Sequence, residues 1–328
     1  MERGLPDDNT VMAALRLAGR APSVHNVQPW RWRIADESIH LYLDPRRALP
    51  ATDPDQRDIV LSCGAALHHL SVALTAMGWA PVVHRIPDPA DPDHLAAVTL
   101  LRRRPTSLDI EMSKSITARK TDRRHYTSWP VPPGYLSLFT ERAMELGAIV
   151  RRIDDRERVK AAAAHAGRIH ADDESYRFEL AMWSGRHSSA DGVPARNAPP
   201  ARPADDFPPR TFAAAEFVDP ASEPDQAELL VLGTGADDRR SRLRAGEALS
   251  SVLLTATGIG LATCVLTEPL EIAGQRALIR RDLLFGTAHP QAIVRVGWAP
   301  TSADFPPETP RRPITDLLIR DAEDSDDR

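Results

Sequence analysis

The chain has 328 residues, 42% of them apolar, and a formal net charge of −5, so it is long enough for one large domain or two ordinary ones built around a packed core. The acidic balance excludes a general attraction to nucleic acid or anionic lipid, local runs such as Arg102 to Arg104 notwithstanding. No run of about 18 apolar residues points to a membrane span, and the two cysteines, Cys63 and Cys264, with a polar MERGLPDDNT start, fit a reduced, cytoplasmic protein.

Residues 8–19 read as a helix, with an Asp/Asn cap, Val11, Leu15 and Ala18 at helical spacing, and Gly19 at its end. The polar connection APSVHNVQPW leads into WRWRI and SIHLYL, which alternate with period two around ADE and predict a hairpin. Trp30 and Trp32 fit core or sheet surface there. Residues 57–77 give a long buried helix closed by Gly78, followed by strands in PVVHRI and LAAVTLL. A second round starts near residue 113: a helix in LSLFTERAMELG, a strand in AIVRRID, one helix or a pair over 155–184, a strand in AELLVLGT, helices over 239–257 and 269–281, and a strand in AIVRVGW. This mixed order predicts an α+β fold.

Laying residues 64–83 on 246–265 matches Gly64, Ala66, Leu67, Thr75, Gly78, Ala80 and Val83 with Gly246, Ala248, Leu249, Thr257, Gly260, Ala262 and Val265. A shift of two residues aligns SVALTAMG with SVLLTATG equally well. The expected organisation is two related halves, 1–112 and 113–318, and a disordered acidic tail over 319–328 that is too polar to order itself. Residues 185–210, GRHSSADGVPARNAPPARPADDFPPR, form an insertion longer than an ordinary connection, which reads as a lid or as disorder. LGTGADD follows a strand but carries Asp238 where a dinucleotide site needs its third glycine, so it is not read as one. His68 and His69 are adjacent and His165 and His170 are five apart, which gives no metal pair on a helix face.

Four segments together resemble the nitroreductase superfamily of FMN proteins. APSVHNVQPWRW resembles its APSxxNxQPW segment, and ITARKTDRRHYTSWPVPPGYL, residues 116–136, its RRSxRxF opening. GEALSSVLLTATGIGLATCVL, residues 246–266, is similar to its buried dimer helix and GLGSCPL turn, and PRRPITDLL, 310–318, sits where the family ends in a basic residue before a proline. The opening motif follows the APSxxNxQPW segment instead of preceding it, as in the Acg-type branch, in which one chain imitates the two-subunit dimer. The resemblance implies a nitroreductase-like, dimer-like monomer, leaving a homodimer of such chains open. It also implies one FMN per chain, NAD(P)H as reductant, a small-molecule electron acceptor, no nucleic-acid or membrane partner, and a lid over the flavin. Lys120 and Thr121 stand where the family has Arg and Ser, and ATCV lacks its Gly and Pro.

A flavin phosphate needs cations that fork onto its oxygens. Arg119, Lys120 and Arg123 with Thr121, and Arg311 or Arg312, are the candidates, though a solvated basic helix start would read the same. The pyrimidine edge of the ring needs donors and acceptors, which Ser23, Asn26 and Gln28 offer unless they serve turn chemistry, and Arg123 is the candidate cation beside N1 and O2. By the resemblance, the turn from Ala262 to Leu266 faces N5, placing Thr263, Cys264 and Val265 at the cofactor. No residue is required as a general acid or base, and no metal ligand is expected. Two functions follow: an NAD(P)H oxidoreductase acting on nitroaromatic or quinone-type acceptors through flavin N5, or a non-catalytic FMN storage protein whose lid closes over the ring.

Overall fold

The computed structural model describes residues 4–185, 189–200, 210–221, 223–300 and 304–319. The first half begins with α1, Asp8–Ala18, capped by Asp7, which accepts the Thr10 N–H at 3.0 Å. The hairpin follows as β1, Trp30–Ile34, and β2, Ser38–Leu43, with Trp30 opposite Leu43 and Ile34 opposite Ile39. Its period-two pattern places Trp30, Trp32, Ile39 and Leu41 in the core. Then come α2, Arg57–Ala76, β3, Trp79–Arg85, and β4, His94–Arg102.

A helix absent from the sequence reading, α3, Ser107–Ala118, starts at a Thr106–Asp109 capping box. The expected division after residue 112 falls inside it. The second half runs α4, Pro133–Glu145; β5, Ile149–Arg152; α5, Arg156–Asp172; α6, Glu174–Met182; β6, Glu228–Thr234; α7, Arg239–Gly258; β7, Ala262–Leu266. It ends with α8, Glu268–Glu271, α9, Ala273–Leu283, β8, His289–Gly297, and the short α10, Ile314–Leu317. The helix expected over 269–281 is therefore broken at Ile272, which caps α9. The segment expected as a turn, Ala262–Leu266, is the strand β7, paired from Ala262 opposite Gly297 to Leu266 opposite Ile293. Asp238, the residue that spoils the dinucleotide motif, caps α7 through the Ser241 N–H at 2.7 Å.

Both halves carry an antiparallel four-stranded sheet of the same order, β1-β2-β4-β3 and β5-β6-β8-β7. The duplicated halves meet along α2 and α7. A Cβ on Gly64 would lie 2.0 Å from the Leu243 carbonyl oxygen, and one on Gly246 would lie 1.9 Å from that of Leu61. Leu61 precedes Gly64 by the spacing at which Leu243 precedes Gly246, so the contact is reciprocal about an internal two-fold. This selects the alignment of Gly64 with Gly246 over the two-residue shift. By length and composition α2 could cross a membrane, but here it is a core helix with most of its residues buried. The C-terminal segment returns to the first half: Leu318 bridges Trp32, and the Ile319 N–H reaches the Trp32 carbonyl at 2.7 Å. Of the tail expected to be disordered over 319–328, Ile319 is thus bonded to β1, and residues 320–328 lie outside the described residues.

Candidate functional site

A cleft opens where the halves meet. Ser23, His25, Asp58 and Ser62 line it from the first half and Thr121, Arg123, Cys264, Val265, Glu268 and Arg295 from the second. Arg210 and Phe212, at and just beyond the end of the insertion, complete the wall. Each of the two helices at the two-fold contributes: Leu61 and Ser62 from α2, Leu249 from α7.

The Ser23 to Gln28 connection is wound into a turn with positive φ at His25, Asn26 and Gln28, a conformation costly for such residues and held only by surrounding contacts. Ser23 Oγ accepts the Gln28 N–H at 3.0 Å, and Ser62 Oγ accepts that of Val24 at 3.1 Å. Asn26 and Gln28 do not line the cleft. Asn26 Nδ2 donates to the carbonyls of Gly192 and Pro310 at 3.0 and 3.1 Å. Gln28 Nε2 donates to that of Ala190 at 2.9 Å, while its Oε1 accepts the Arg312 N–H at 2.9 Å. Both amides thus tie the insertion and the C-terminal segment to the turn. Thr263 is buried and is not part of the cleft wall; its carbonyl accepts the Asp122 N–H at 3.0 Å and fixes the 119–126 segment against β7. Arg312 does not line the cleft either and caps the end of α10 through the Asp316 carbonyl at 3.0 Å.

Beside the end of the cleft marked by Pro22 and Thr121 stands a cationic cluster. Arg119 is buried, donates weakly to Thr121 Oγ1 at 3.4 Å, and leaves Nε unpartnered. Arg311 donates to the Arg20 and Ala21 carbonyls at 3.1 and 3.3 Å and also leaves Nε unpartnered. Among the described residues neither has a carboxylate in ion-pair reach. Glu308 pairs instead with Arg20 at 2.6 Å and Lys120 at 3.7 Å. Burial, reinforced by Arg20 and Arg123, pushes Arg119 down to about 10, and burial with repulsion from Arg119 and Arg20 pushes Arg311 down to about 9. Both remain protonated at neutral pH, so the cluster holds positive charge without its counter-charge. The donor set suits a phosphate.

Arg123 donates to the Asn197 carbonyl at 3.0 Å, and its guanidinium lies 5.0 Å from the Phe212 ring centroid. The opposite end of the cleft holds an ionic network that sequence reading missed. Arg57 Nε donates to Asp58 at 2.7 Å. Arg210 is paired with Glu271 and donates to Tyr176 Oη at 2.6 Å and Thr267 Oγ1 at 2.9 Å. His170 meets Glu268 at 3.0 Å and stacks on Tyr176. These groups come from four separate segments, and only the acidic run ATDPDQRD before α2 hinted at them.

A duplicated α+β chain whose two halves share a cleft at their interface has the architecture of a nitroreductase-like protein. The chain belongs to that family, in its Acg-type branch. It is 47% identical over 321 residues, covering 97% of this chain and 93% of the relative, to a Mycobacterium tuberculosis protein named "Putative NAD(P)H nitroreductase". It is 38% identical over 331 residues, 96% and 97% of the two chains, to "Putative NAD(P)H nitroreductase acg" of the same organism. A third M. tuberculosis relative, named only as an uncharacterized protein, is 37% identical over 325 residues, 93% and 91% of the chains. A Bacteroides fragilis nitroreductase solved with bound FMN is 15% identical and covers 61% of this chain and 94% of its own, with a TM-score of 0.38. No protein-family model matches the chain.

Proposed function

We propose that the chain is a cytoplasmic FMN-dependent oxidoreductase, holding one cofactor per chain, that takes electrons from NAD(P)H and passes them to nitroaromatic or quinone-type acceptors. The observation that carries this reading is the pair of guanidiniums of buried Arg119 and half-buried Arg311, each with a buried, unpartnered Nε and with no carboxylate partner among the described residues. A dianionic phosphate relieves their repulsion and supplies acceptors for the orphaned Nε–H groups. Thr121 adds a hydroxyl, and Lys120 and Arg20 add outer positive charge. Arg123 and Ser23 serve the pyrimidine edge, with the backbone of Cys264 and Val265 beside the ring. Asn26, Gln28 and Arg312 hold the turn and the insertion in place. When bound, the flavin supplies a hydride-accepting and hydride-donating centre; Phe212 and Leu249 keep its surroundings apolar, and Arg123 favours the anionic reduced form.

The test is flavin released per chain by heat, read by absorbance, followed by anaerobic titration with NADH or NADPH. The expected result is one FMN per chain, bleached by a nicotinamide nucleotide. Two FMN per chain, or none, overturns the reading.

A second reading, sequestration of FMN without turnover, is favoured by one observation: Arg210 and Phe212 line the cleft while Arg210 is tied to Glu271 and Thr267, as a closed cover would be. It expects a yellow protein that NAD(P)H does not bleach. Residues 201–209 of the expected lid, and 186–188 near its start, lie outside the described residues.

A further inference from the structure

Away from the cationic cluster, the cleft presents an acceptor with an incomplete set of partners. Asp58 stands in the first turn of α2, is 1% exposed and lines the cleft. Its Oδ1 accepts from Arg57, but its Oδ2 is buried with no hydrogen-bond partner among the described residues. A charged oxygen buried without a donor is costly, which favours any ligand that brings one. The neighbouring charges do not supply it. Arg57 Nη1 is committed to the Leu270 carbonyl at 2.5 Å, and its Nη2, also without a partner among the described residues, is not part of the cleft wall; Arg210 is committed to Glu271 and Arg295 to Asp225 at 2.8 Å. Asp53, whose Oδ2 accepts the Ile59 N–H at 2.9 Å, is pushed up to about 7 by burial and by the Asp58 charge. Glu268, also on the cleft wall, adds a second carboxylate on the facing side, held by His170. Among the described residues, the one cation of the wall free of a carboxylate, Arg123, lies on the segment assigned to the cofactor. At this end the cleft wall therefore presents two carboxylates and, among the described residues, no cation free of an acidic partner.

We propose that Asp58 is a specificity-determining residue for the second ring that enters the cleft: its Oδ2 accepts an N–H from a planar aromatic amide or amine and repels the corresponding carboxylate. The proposal rests on the flavin reading, since it concerns the space beside the cofactor. A carboxamide is neutral and offers two N–H donors, whereas a carboxylate offers acceptors only and meets Asp58 and Glu268 as like charges.

The experiment uses oxidised, FMN-loaded full-length protein titrated with benzamide and with benzoate, neither of which is reduced, following the flavin spectrum and confirming by calorimetry. The expected dissociation constant is at least about tenfold lower for benzamide. In Asp58→Asn, whose amide can donate to a carboxylate, the ratio should fall to within about threefold. Equal binding, tighter benzoate, or no binding of either ligand to the parent protein overturns the proposal, as does an unchanged ratio in the variant. Loss of FMN from a folded Asp58→Asn protein also overturns it, by placing Asp58 on the cofactor. Should the variant fail to fold, the parent ratio decides alone. Protein that carries no FMN refutes the flavin reading instead, and absorbance before titration separates the two failures.

Discussion

Adding one methyl group at Gly246 tests the internal two-fold most directly. The Cβ of an alanine there would sit 1.9 Å from the Leu61 carbonyl oxygen, where contacts under 3.0 Å are essentially never seen. The α2 and α7 backbones must therefore part by at least about 1 Å, because the obstacle is main chain and cannot rotate away. Overpacking costs about 1–3 kcal/mol where side chains can yield, so Gly246→Ala belongs at or beyond about 3 kcal/mol. With an unfolding entropy of about 2.1 cal/mol/K per residue, a chain of 328 residues loses about 4 °C in Tm for 3 kcal/mol. Gly64→Ala, 2.0 Å from the Leu243 oxygen, should cost a similar amount. Since Leu61, Ser62 and Leu249 line the cleft within a turn or so of this crossing, FMN content should fall as well. Differential scanning calorimetry provides the readout, with Gly274→Ala in α9 as control: nothing lies within 4 Å of its added Cβ, and alanine's better helix propensity should leave stability equal or slightly raised. A Gly246→Ala protein melting within about 1 °C of its parent would falsify the close helix crossing on which the two-fold rests.

Arg119→Gln removes the buried one of two repelling charges, so the flavin-free protein should melt higher while FMN affinity, measured by fluorescence titration, falls about 10–100-fold, the worth of a charge-assisted hydrogen bond; unchanged affinity would detach Arg119 from the phosphate. Arg123→Ala should lower the midpoint potential of bound flavin by about 30 mV, equivalent to about 1.4 kcal/mol for a two-electron couple, and a raised potential contradicts its place at the pyrimidine edge. Asp53, with its folded pKa raised to about 7, binds its proton more tightly when folded, so its contribution to stability is greatest below about pH 4 and declines as pH rises towards 7. Asp53→Asn should flatten that decline in urea midpoints, a loss on the order of a few kcal/mol, and an unchanged slope between pH 5 and 7 refutes the assignment. Deleting residues 185–210 should leave FMN bound through the cationic cluster yet speed anaerobic reduction by NAD(P)H in stopped-flow; complete loss of FMN would make the insertion part of the binding site.

Much of this architecture is written in local patterns. The hairpin of β1 and β2 follows from period-two alternation, and α2 and α7 from long apolar runs, because burial on one side imposes those periods. The α3 helix escaped notice because only Ser115 and Ile116 of it are buried, which leaves no apolar stripe to read. β7 was taken for a turn by analogy, although Thr263 and Val265 are β-branched and suit the strand they form. Beside the cleft, the basic residues Arg119 and Arg311 were legible as charge because both fall in segments that resemble the family's basic motifs. Asn26 and Gln28 were not, because the direction of an amide side chain depends on which carbonyl meets it. Here those carbonyls belong to Gly192, Ala190 and Pro310, distant in the chain and joined to the turn only by the fold. The acidic end was invisible for the same reason: Asp58, Arg210 and Glu271 converge from separate segments.

The duplication also explains why a single anion site is expected from two equivalent interfaces. With Gly64 laid on Gly246, the cleft residues Cys264 and Val265 correspond to Val82 and Val83, Asp58 and Ser62 to Arg240 and Arg244, and Thr267 at the end of β7 to Arg85 at the end of β3. On that second side Arg85 donates two hydrogen bonds to Glu247, at 2.6 and 2.8 Å, and the glutamate is almost fully buried. A fork-to-carboxylate pair of this kind satisfies both partners internally, and removing either would strand the other charge. The two sides thus differ in charge balance: Arg85, the counterpart of Thr267, is neutralised by Glu247, whereas on the first side Arg119 and Arg311, at the other end of the cleft, have no carboxylate partner among the described residues. An anion entering the second side has to displace a buried bidentate pair, while one entering the first relieves a repulsion. On the proposed assignment of the cofactor phosphate to Arg119 and Arg311, charge balance, more than the shape of either interface, is what favours one side of the two-fold.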